Sequence, residues 1–258
     1  MKFRIYKALA RGVLLETIRR KDLWVVAILG FIIMVAAGGL GLYGMQGLES
    51  FAKDLAVSVL GLFTTILAVL NSSRLLPEEI KQRTLYPLLA RPISRMDLLI
   101  GKYLGAVLAT WIAFGILATT TALALVIFGV HFELIMLQYL IAKMLGLAVL
   151  CAVTLALSLY LTPAAAATMS FILAFGSTMI VRALVMANDG ASPAMTWVYK
   201  GINAFIPQYG LFDFGGRVAN IGWSPVPLWV MGALFAYAAV YCGASLTAAW
   251  VGFRNKAV

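Results

Sequence analysis

The sequence predicts an all-α polytopic membrane protein with six transmembrane helices. The chain has 258 residues, of which 63% are hydrophobic and 12% are charged, and its mean hydropathy is +0.97. Soluble domains carry about 25% charged residues, because they must keep a polar surface in water. The charges also cluster between long uncharged stretches, and about 20 apolar residues suffice for a helix to cross a bilayer. These observations exclude the class of soluble domains.

Six apolar stretches are the predicted spans. They cover residues 23–42, 55–70, 103–130, 144–162, 164–181 and 226–253. The second stretch is short but continues through the polar, uncharged residues 71–73, and the sixth is long enough to tilt. We therefore divide the chain into an N-terminal segment, residues 1–22, and a transmembrane domain, residues 23–258.

The basic residues predict the orientation of these spans. Of the 20 Lys and Arg residues, 15 fall in the N-terminal segment, in the segment between spans two and three, and at the C-terminus. Six spans place these three segments on the same side, and the positive-inside rule identifies that side as the cytoplasm. The net charge of +10 therefore indicates a membrane orientation rather than a nucleic-acid-binding surface.

The N-terminal segment has the pattern of a short basic amphipathic helix. At helical spacing the basic face consists of Arg4, Lys7 and Arg11, and the apolar face of Ile5, Leu9 and Val13. Such a helix is suited to lie in the plane of the inner membrane face. A simple basic tail that only sets the topology is the alternative. A cleaved signal peptide is disfavoured, because the apolar stretch that follows exceeds the usual 7–15 residues.

The predicted outer side contains one long segment, residues 188–225. It is rich in turn-forming residues and in aromatic residues, which favour the membrane–water boundary. We expect short helices that lie at the outer interface or dip into it. Lys143 and Arg182 flank outer ends of spans, where a long side chain is expected to extend to water.

The segment between spans two and three carries the strongest local signals. Pro77 suits the first turn of a helix, and Glu78 and Glu79 follow where the helix dipole favours negative charge. Pro87 ends or bends this helix, and Pro92 prevents it from resuming. The pattern predicts a short inner helix of about residues 77–92.

Ser94 and Asp97 have the spacing of a capping box, which predicts that span three starts here. Gly101 and Gly105, one helical turn apart at the inner end of this span, predict close helix packing. The residues alone leave two interpretations of the preceding charged segment open. It is either a rigid helix that binds a partner or a solvated loop.

Several short motifs in this segment occur together in a known family. They are Glu79, Thr84-Leu85, Leu88-Leu89, Pro92-Ile93-Ser94-Arg95 and Gly101-Lys102. This set resembles the inner segment of ABC transporter type-2 permeases, although Arg83 stands where that family often has glycine. The rest of the chain is similar in outline, and residues 207–213 resemble the outer segment of the six-span members.

The resemblance implies a non-catalytic permease subunit of the prokaryotic cytoplasmic (inner) membrane, with both termini cytoplasmic. The inner helix would be a coupling helix seated in a groove on a separate ATP-binding cassette subunit, which binds ATP and Mg. Two permeases and two ATPase subunits would form the working unit, and most prokaryotic members export. The implied interface residues are Glu78, Glu79, Arg83, Thr84, Arg91, Pro92, Ser94 and Arg95.

The chain has no nucleotide site of its own. A P-loop needs Gly-x-x-x-x-Gly-Lys-Ser/Thr, whereas the single Gly-Lys pair, Gly101-Lys102, is followed by Tyr103. An enzyme is disfavoured, because neither His-Glu-x-x-His nor Gly-x-Ser-Gly occurs. One histidine and two cysteines cannot form a usual zinc site without carboxylate ligands. We therefore expect no catalytic, metal-binding or cofactor-binding residues.

Two other classes of membrane protein stay open. An ion-coupled secondary transporter is disfavoured for protons, since all ten acidic residues lie outside the uncharged stretches, but sodium held by backbone carbonyls is compatible. A structural membrane scaffold is the other alternative. The apolar spans suit a lipid-like, peptide or drug cargo, or mechanical work on a periplasmic or envelope accessory protein.

Overall fold

The structure, a computed structural model, describes residues 2–19, 28, 30–32, 48–81, 94–127, 133–188, 193–219 and 224–254, and all regular elements within these ranges are helices. They are α1 (Lys2–Arg19), α2 (Leu48–Lys81), α3 (Arg95–Ile127), α4 (Leu134–Tyr160), α5 (Pro163–Asn188), α6 (Pro193–Phe205), a 3-10 helix (Tyr209–Phe212), α7 (Gly215–Ala219) and α8 (Leu228–Arg254). The predicted all-α class is therefore confirmed.

Five of these helices, α2, α3, α4, α5 and α8, are long and apolar enough to cross a membrane. Each of predicted spans two to six falls largely within one of them. The predicted first span, residues 23–42, lies largely outside the described residues, although residues 28 and 30–32 are helical. The count of six spans therefore stays a prediction.

Helix α4 is the centre of the bundle and packs against α2, α3, α5 and α8. Its middle is completely buried at Val149, Cys151 and Ala152, where small and β-branched side chains let neighbouring helices approach closely. By contrast, only 11% of the apolar stretch of α5 and 17% of that of α8 are buried. These two helices flank the core and present apolar surface, as helices that face lipid do.

The N-terminal segment forms α1, but its apolar side packs on protein. Leu9 and Val13 are buried against α3 at Gly101 and Gly105. A Cβ atom at Gly105 would lie 2.7 Å from Val13 Cβ and 3.0 Å from Ala10 Cα. The close packing predicted for these glycines is confirmed, and α1 is the helix that they admit. Leu9 and Val13 thus do not form the lipid-facing surface that their spacing suggests.

The helix start predicted at Pro77 is wrong. Helix α2 runs without interruption from Leu48 to Lys81, and Pro77 lies inside its last turns. The missing N–H of a proline removes one hydrogen bond, to the carbonyl four residues earlier, and α2 nevertheless extends through Pro77 to Lys81. The remainder of the predicted coupling helix, residues 82–92, lies outside the described residues.

The outer segment folds into α6, the 3-10 helix and α7. The 3-10 helix contacts α4 and α5, and α7 contacts α2 and α4. Phe212 is 2% exposed and lies on Gly146, whose added Cβ would stand 2.9 Å from Phe212 Cβ. The 3-10 helix and α7 are therefore packed against the bundle, whereas α6 is largely exposed, with Trp197 at 76% and Phe205 at 87%. The position of the outer segment at the membrane interface stays a prediction.

Candidate functional site

The candidate site is the end of the bundle where residues 82–93 connect α2 to α3. Four of the eight residues implied as ATPase contacts, Glu78, Glu79, Ser94 and Arg95, flank this connection. The other four are Arg83, Thr84, Arg91 and Pro92, and they lie outside the described residues. Glu78 and Glu79 fall in the last turn of α2, not in the first turn of a separate helix.

Glu79 forms an ion pair with Lys102 across the two helices. The Lys102 Nζ donates to Glu79 Oε1, and the two side chains are 8% and 18% exposed respectively. Lys102 lies two turns into α3, so the pair joins the C-terminal end of α2 to the N-terminal part of α3. Because both charges are largely removed from water, removal of either side chain would leave the other charge in a poorly hydrated site.

Ser94 begins α3 as its N-cap. The backbone N–H of Asp97 donates to Ser94 Oγ over 3.1 Å, and Ser94 Oγ donates in turn to Asp97 Oδ2 over 2.6 Å. This confirms the capping interaction predicted from the spacing of Ser94 and Asp97. The second carboxylate oxygen of Asp97 accepts a hydrogen bond from the hydroxyl of Tyr6 in α1.

The Tyr6–Asp97 hydrogen bond changes the titration of the phenol. It raises the pKa of Tyr6 above the usual 10.0, since the neutral phenol donates to the carboxylate, and desolvation and the negative charge of Asp97 add to the effect.

Helix α1 has a second contact nearer its C-terminal end, where Thr17 Oγ1 donates to Asn71 Oδ1 of α2 over 3.1 Å. Helix α1 is thus joined to both helices that flank the connection.

Arg95 faces the C-terminal end of α8. Its Nη1 donates to the backbone oxygens of Phe253 (3.3 Å) and Arg254 (3.2 Å). Its guanidinium carbon also lies 5.8 Å from the centroid of the Phe253 ring, within the range of a cation–π contact. A cation at a helix C-terminus satisfies carbonyls that have no partner within the helix.

Sequence reasoning missed the partners of these residues. Lys102 was part of the recognised motif, but its pairing with Glu79 had no local signal. Tyr6 lies 91 positions from Asp97, and Phe253 lies 158 positions from Arg95. The contacts connect α1, α2, α3 and α8 at one end of the bundle. A displacement of the connecting segment would therefore act on four helices together.

The described charged groups of this site contact neighbouring helices. The described part of the chain contains no group of three or more His, Cys, Asp or Glu residues that could hold a metal ion. What the described contacts supply is a connection among α1, α2, α3 and α8 at this end of the bundle.

Comparison with known proteins gives the family. Residues 17–187 match the family described as ABC-2 family transporter protein, which covers well over half of the chain. A search of curated proteins found no match. The matched range includes α2, α3, α4 and nearly all of α5, and with them the whole connection between α2 and α3. The chain is therefore a membrane protein that belongs to the ABC-2 transporter family, whose members are ABC transporter permeases.

Proposed function

We propose that this permease couples ATP hydrolysis on a separate cytoplasmic ATP-binding cassette subunit to the export of a substrate across the prokaryotic inner membrane. In this proposal the segment of about residues 77–92 is the coupling element and contacts the ATPase subunit, which binds ATP and Mg. Both termini are cytoplasmic, and residues 23–42 form the first of six spans.

The observation that carries the proposal is the pair of contacts on either side of residues 82–93. Glu79–Lys102 holds α2 to α3 before the connection, and Arg95 holds α3 to the end of α8 directly after it. A partner that pulled on the connection would move α2, α3 and α8 together. A loop that only joined two spans would have no need of contacts with a third.

Two copies of the permease complete the proposed assembly. Support comes from α5, the least buried of the described span candidates, where Ile172 and Met179 are 58% and 76% exposed. Such an apolar surface suits a second copy together with lipid. Purification of co-expressed copies that carry two different tags checks this, since a monomer would never recover both tags together.

The test of coupling is extraction of the tagged protein in a gentle detergent, with identification of co-purifying proteins and an ATPase assay. We expect a stoichiometric ATP-binding protein that Arg91→Glu releases while Lys200→Glu, a charge reversal on the outer segment, retains it. Charge reversals at Glu79 or Arg95 are unsuitable on their own, because they also break contacts within the permease.

An intact permease without any ATPase partner would contradict the proposal. That result would favour an ion-coupled transporter or a scaffold. An effect of sodium on the thermal stability of the protein would then indicate the transporter, and no effect would indicate the scaffold. Loss of the ATPase in both variants would contradict the assignment of the coupling segment in particular.

A further inference from the structure

A cavity of about 370 Å³ lies between α4, α5 and the 3-10 helix, and Thr65 of α2 also lines it. Its volume falls within the range of about 300–1,000 Å³ that small-ligand sites occupy. Four of its lining residues carry charges or a phenol, namely Lys143, Arg182, Asp213 and Tyr209. The mechanism proposed above uses none of them.

The charges of the cavity do not balance. Its lining contains two cations, Lys143 and Arg182, and one carboxylate, Asp213. Lys143 Nζ lies 3.6 Å from Asp213 Oδ2, which is longer than a good hydrogen bond. Within the described ranges, Arg182 has no carboxylate at ion-pair distance. The cavity therefore has an excess of one positive charge.

The geometry of Lys143 and Asp213 indicates a built site. Lys143 is only 14% exposed, and its amine runs along α2 where Gly61 leaves room, since an added Cβ at Gly61 would stand 3.2 Å from Nζ. The side chain therefore lies against protein along its length, and its extension to the outer water stays a prediction. Asp213 is fixed by its other oxygen, Oδ1, which accepts from the N–H of Gly215 over 3.0 Å.

Tyr209 forms part of the cavity wall. The residue is 9% exposed, and its hydroxyl is fully buried, with no hydrogen-bond partner among the described residues. Because the hydroxyl is fully buried, it faces the packed interior and not the open space of the cavity. The polar groups available to a ligand are therefore those of Lys143, Arg182 and Asp213.

We propose that this cavity binds a phosphate-bearing anion, either the phosphodiester of a lipid headgroup or free inorganic phosphate. Arginine and lysine are the preferred cations for phosphate oxygens, and an excess of one positive charge matches one phosphodiester. This inference rests on the geometry of the cavity and not on ATP coupling. The anion site and the ATP-coupling proposal can therefore each be contradicted without affecting the other.

Binding is measured on the purified full chain in an uncharged maltoside detergent. The probes are dihexanoyl phosphatidylglycerol below its micellar concentration and sodium phosphate, each compared with sodium chloride at the same ionic strength. A ligand that binds the folded protein raises the melting temperature with its concentration, and the dependence gives Kd. A response to phosphatidylglycerol alone identifies the lipid headgroup as the source, and a response to phosphate identifies the free ion.

Three variants and one matched control test which residues bind the anion. We expect Arg182→Gln and Lys143→Gln to weaken binding about 10-fold or more. Asp213→Asn should strengthen binding about 3-fold or more, since it removes a competing negative charge yet keeps the Oδ1 acceptor for Gly215. Lys200→Gln removes an outer positive charge outside the cavity and should change binding less than about 2-fold.

The proposal is overturned if neither probe raises the melting temperature of the wild-type protein. It is also overturned if the cavity variants respond as the wild type does, or if Lys200→Gln weakens binding as much as Arg182→Gln. Strengthening by Asp213→Asn is the decisive outcome, because a purely structural role of Asp213 predicts no tighter binding.

Discussion

The Arg95 guanidinium caps the C-terminal end of α8 by donating to the carbonyl oxygen of Phe253, 158 positions away. Arg95→Met keeps most of the apolar side chain and removes the donors. We expect it to lower the free energy of unfolding by about 1.5–3 kcal/mol, the usual range for hydrogen bonds that involve a charged group. Unfolding in mixed detergent micelles measures this. Arg95→Lys retains the charge and should lose less, and an equal loss in both variants would contradict capping by the guanidinium.

The Glu79–Lys102 ion pair predicts a non-additive pair of substitutions. Removal of one partner leaves the other charge buried, so Glu79→Gln or Lys102→Met should each cost about 3–5 kcal/mol of stability. The double variant should be more stable than the sum of the single losses predicts. A double-mutant cycle on the free energy of unfolding gives the coupling. Strictly additive losses would mean that the pair contributes nothing.

The same pair permits a cleaner test of the coupling segment. The exchange Glu79→Lys with Lys102→Glu preserves the ion pair but inverts the charge at position 79. If Glu79 also contacts the ATPase subunit, this variant should keep near-wild-type stability and lose ATP-driven activity. Full activity of the exchanged variant would restrict Glu79 to a structural role.

The close approach of α1 to α3 makes Gly105 sensitive to one added methyl group. In Gly105→Ala the new Cβ would meet Val13 Cβ at 2.7 Å and the α1 backbone at Ala10. We expect a loss of about 1–3 kcal/mol from overpacking, together with faster tryptic cleavage of α1 at Arg11. Gly115→Ala is the matched control on the same helix, because no atom lies within 4 Å of its added Cβ. It should be neutral or slightly stabilising, and equal effects at both positions would contradict the prediction.

The Tyr6–Asp97 hydrogen bond predicts a pH dependence. Because the pKa of Tyr6 is raised above 10.0 in the folded protein, its contribution to stability is complete below pH 10.0 and is lost as the pH rises through the folded pKa. Tyr6→Phe should therefore be less stable than wild type at pH 7, and the difference should shrink at high pH. Unfolding measured between pH 7 and pH 11 checks this, and a constant difference would contradict it.

The helices of the core were predictable from the sequence, because long uncharged stretches indicate helices that are surrounded by lipid or protein rather than by water. The Ser94 cap and the Gly101–Gly105 packing were predictable too, since both are local patterns three or four residues apart. Pro77 was misread, because a proline is tolerated near the end of a helix as well as in its first turn. The local sequence does not distinguish the two positions.

The long-range partners of the site were beyond local reasoning. Nothing near Arg95 indicates that it caps α8, and nothing near Tyr6 indicates Asp97. Such pairs are set by which helices become neighbours, and the apolar spans carry few side chains that specify neighbours. The cavity around Lys143 was missed for the same reason, since α4, α5 and the outer segment form it together.

The separations between contacting residues also imply an order of assembly. Glu79 and Lys102 are 23 positions apart, so α2 and α3 can pair as soon as both have left the insertion machinery. Helix α1 can pack against Gly101 and Gly105 of α3 at the same stage. The face of α4 that receives α8 has no such early partner and must wait until α5 and the outer segment have been synthesised. During biogenesis, the face of α4 that receives α8 and the start of α3 that Arg95 joins to α8 therefore both stand beside lipid, or beside a chaperone, until α8 arrives.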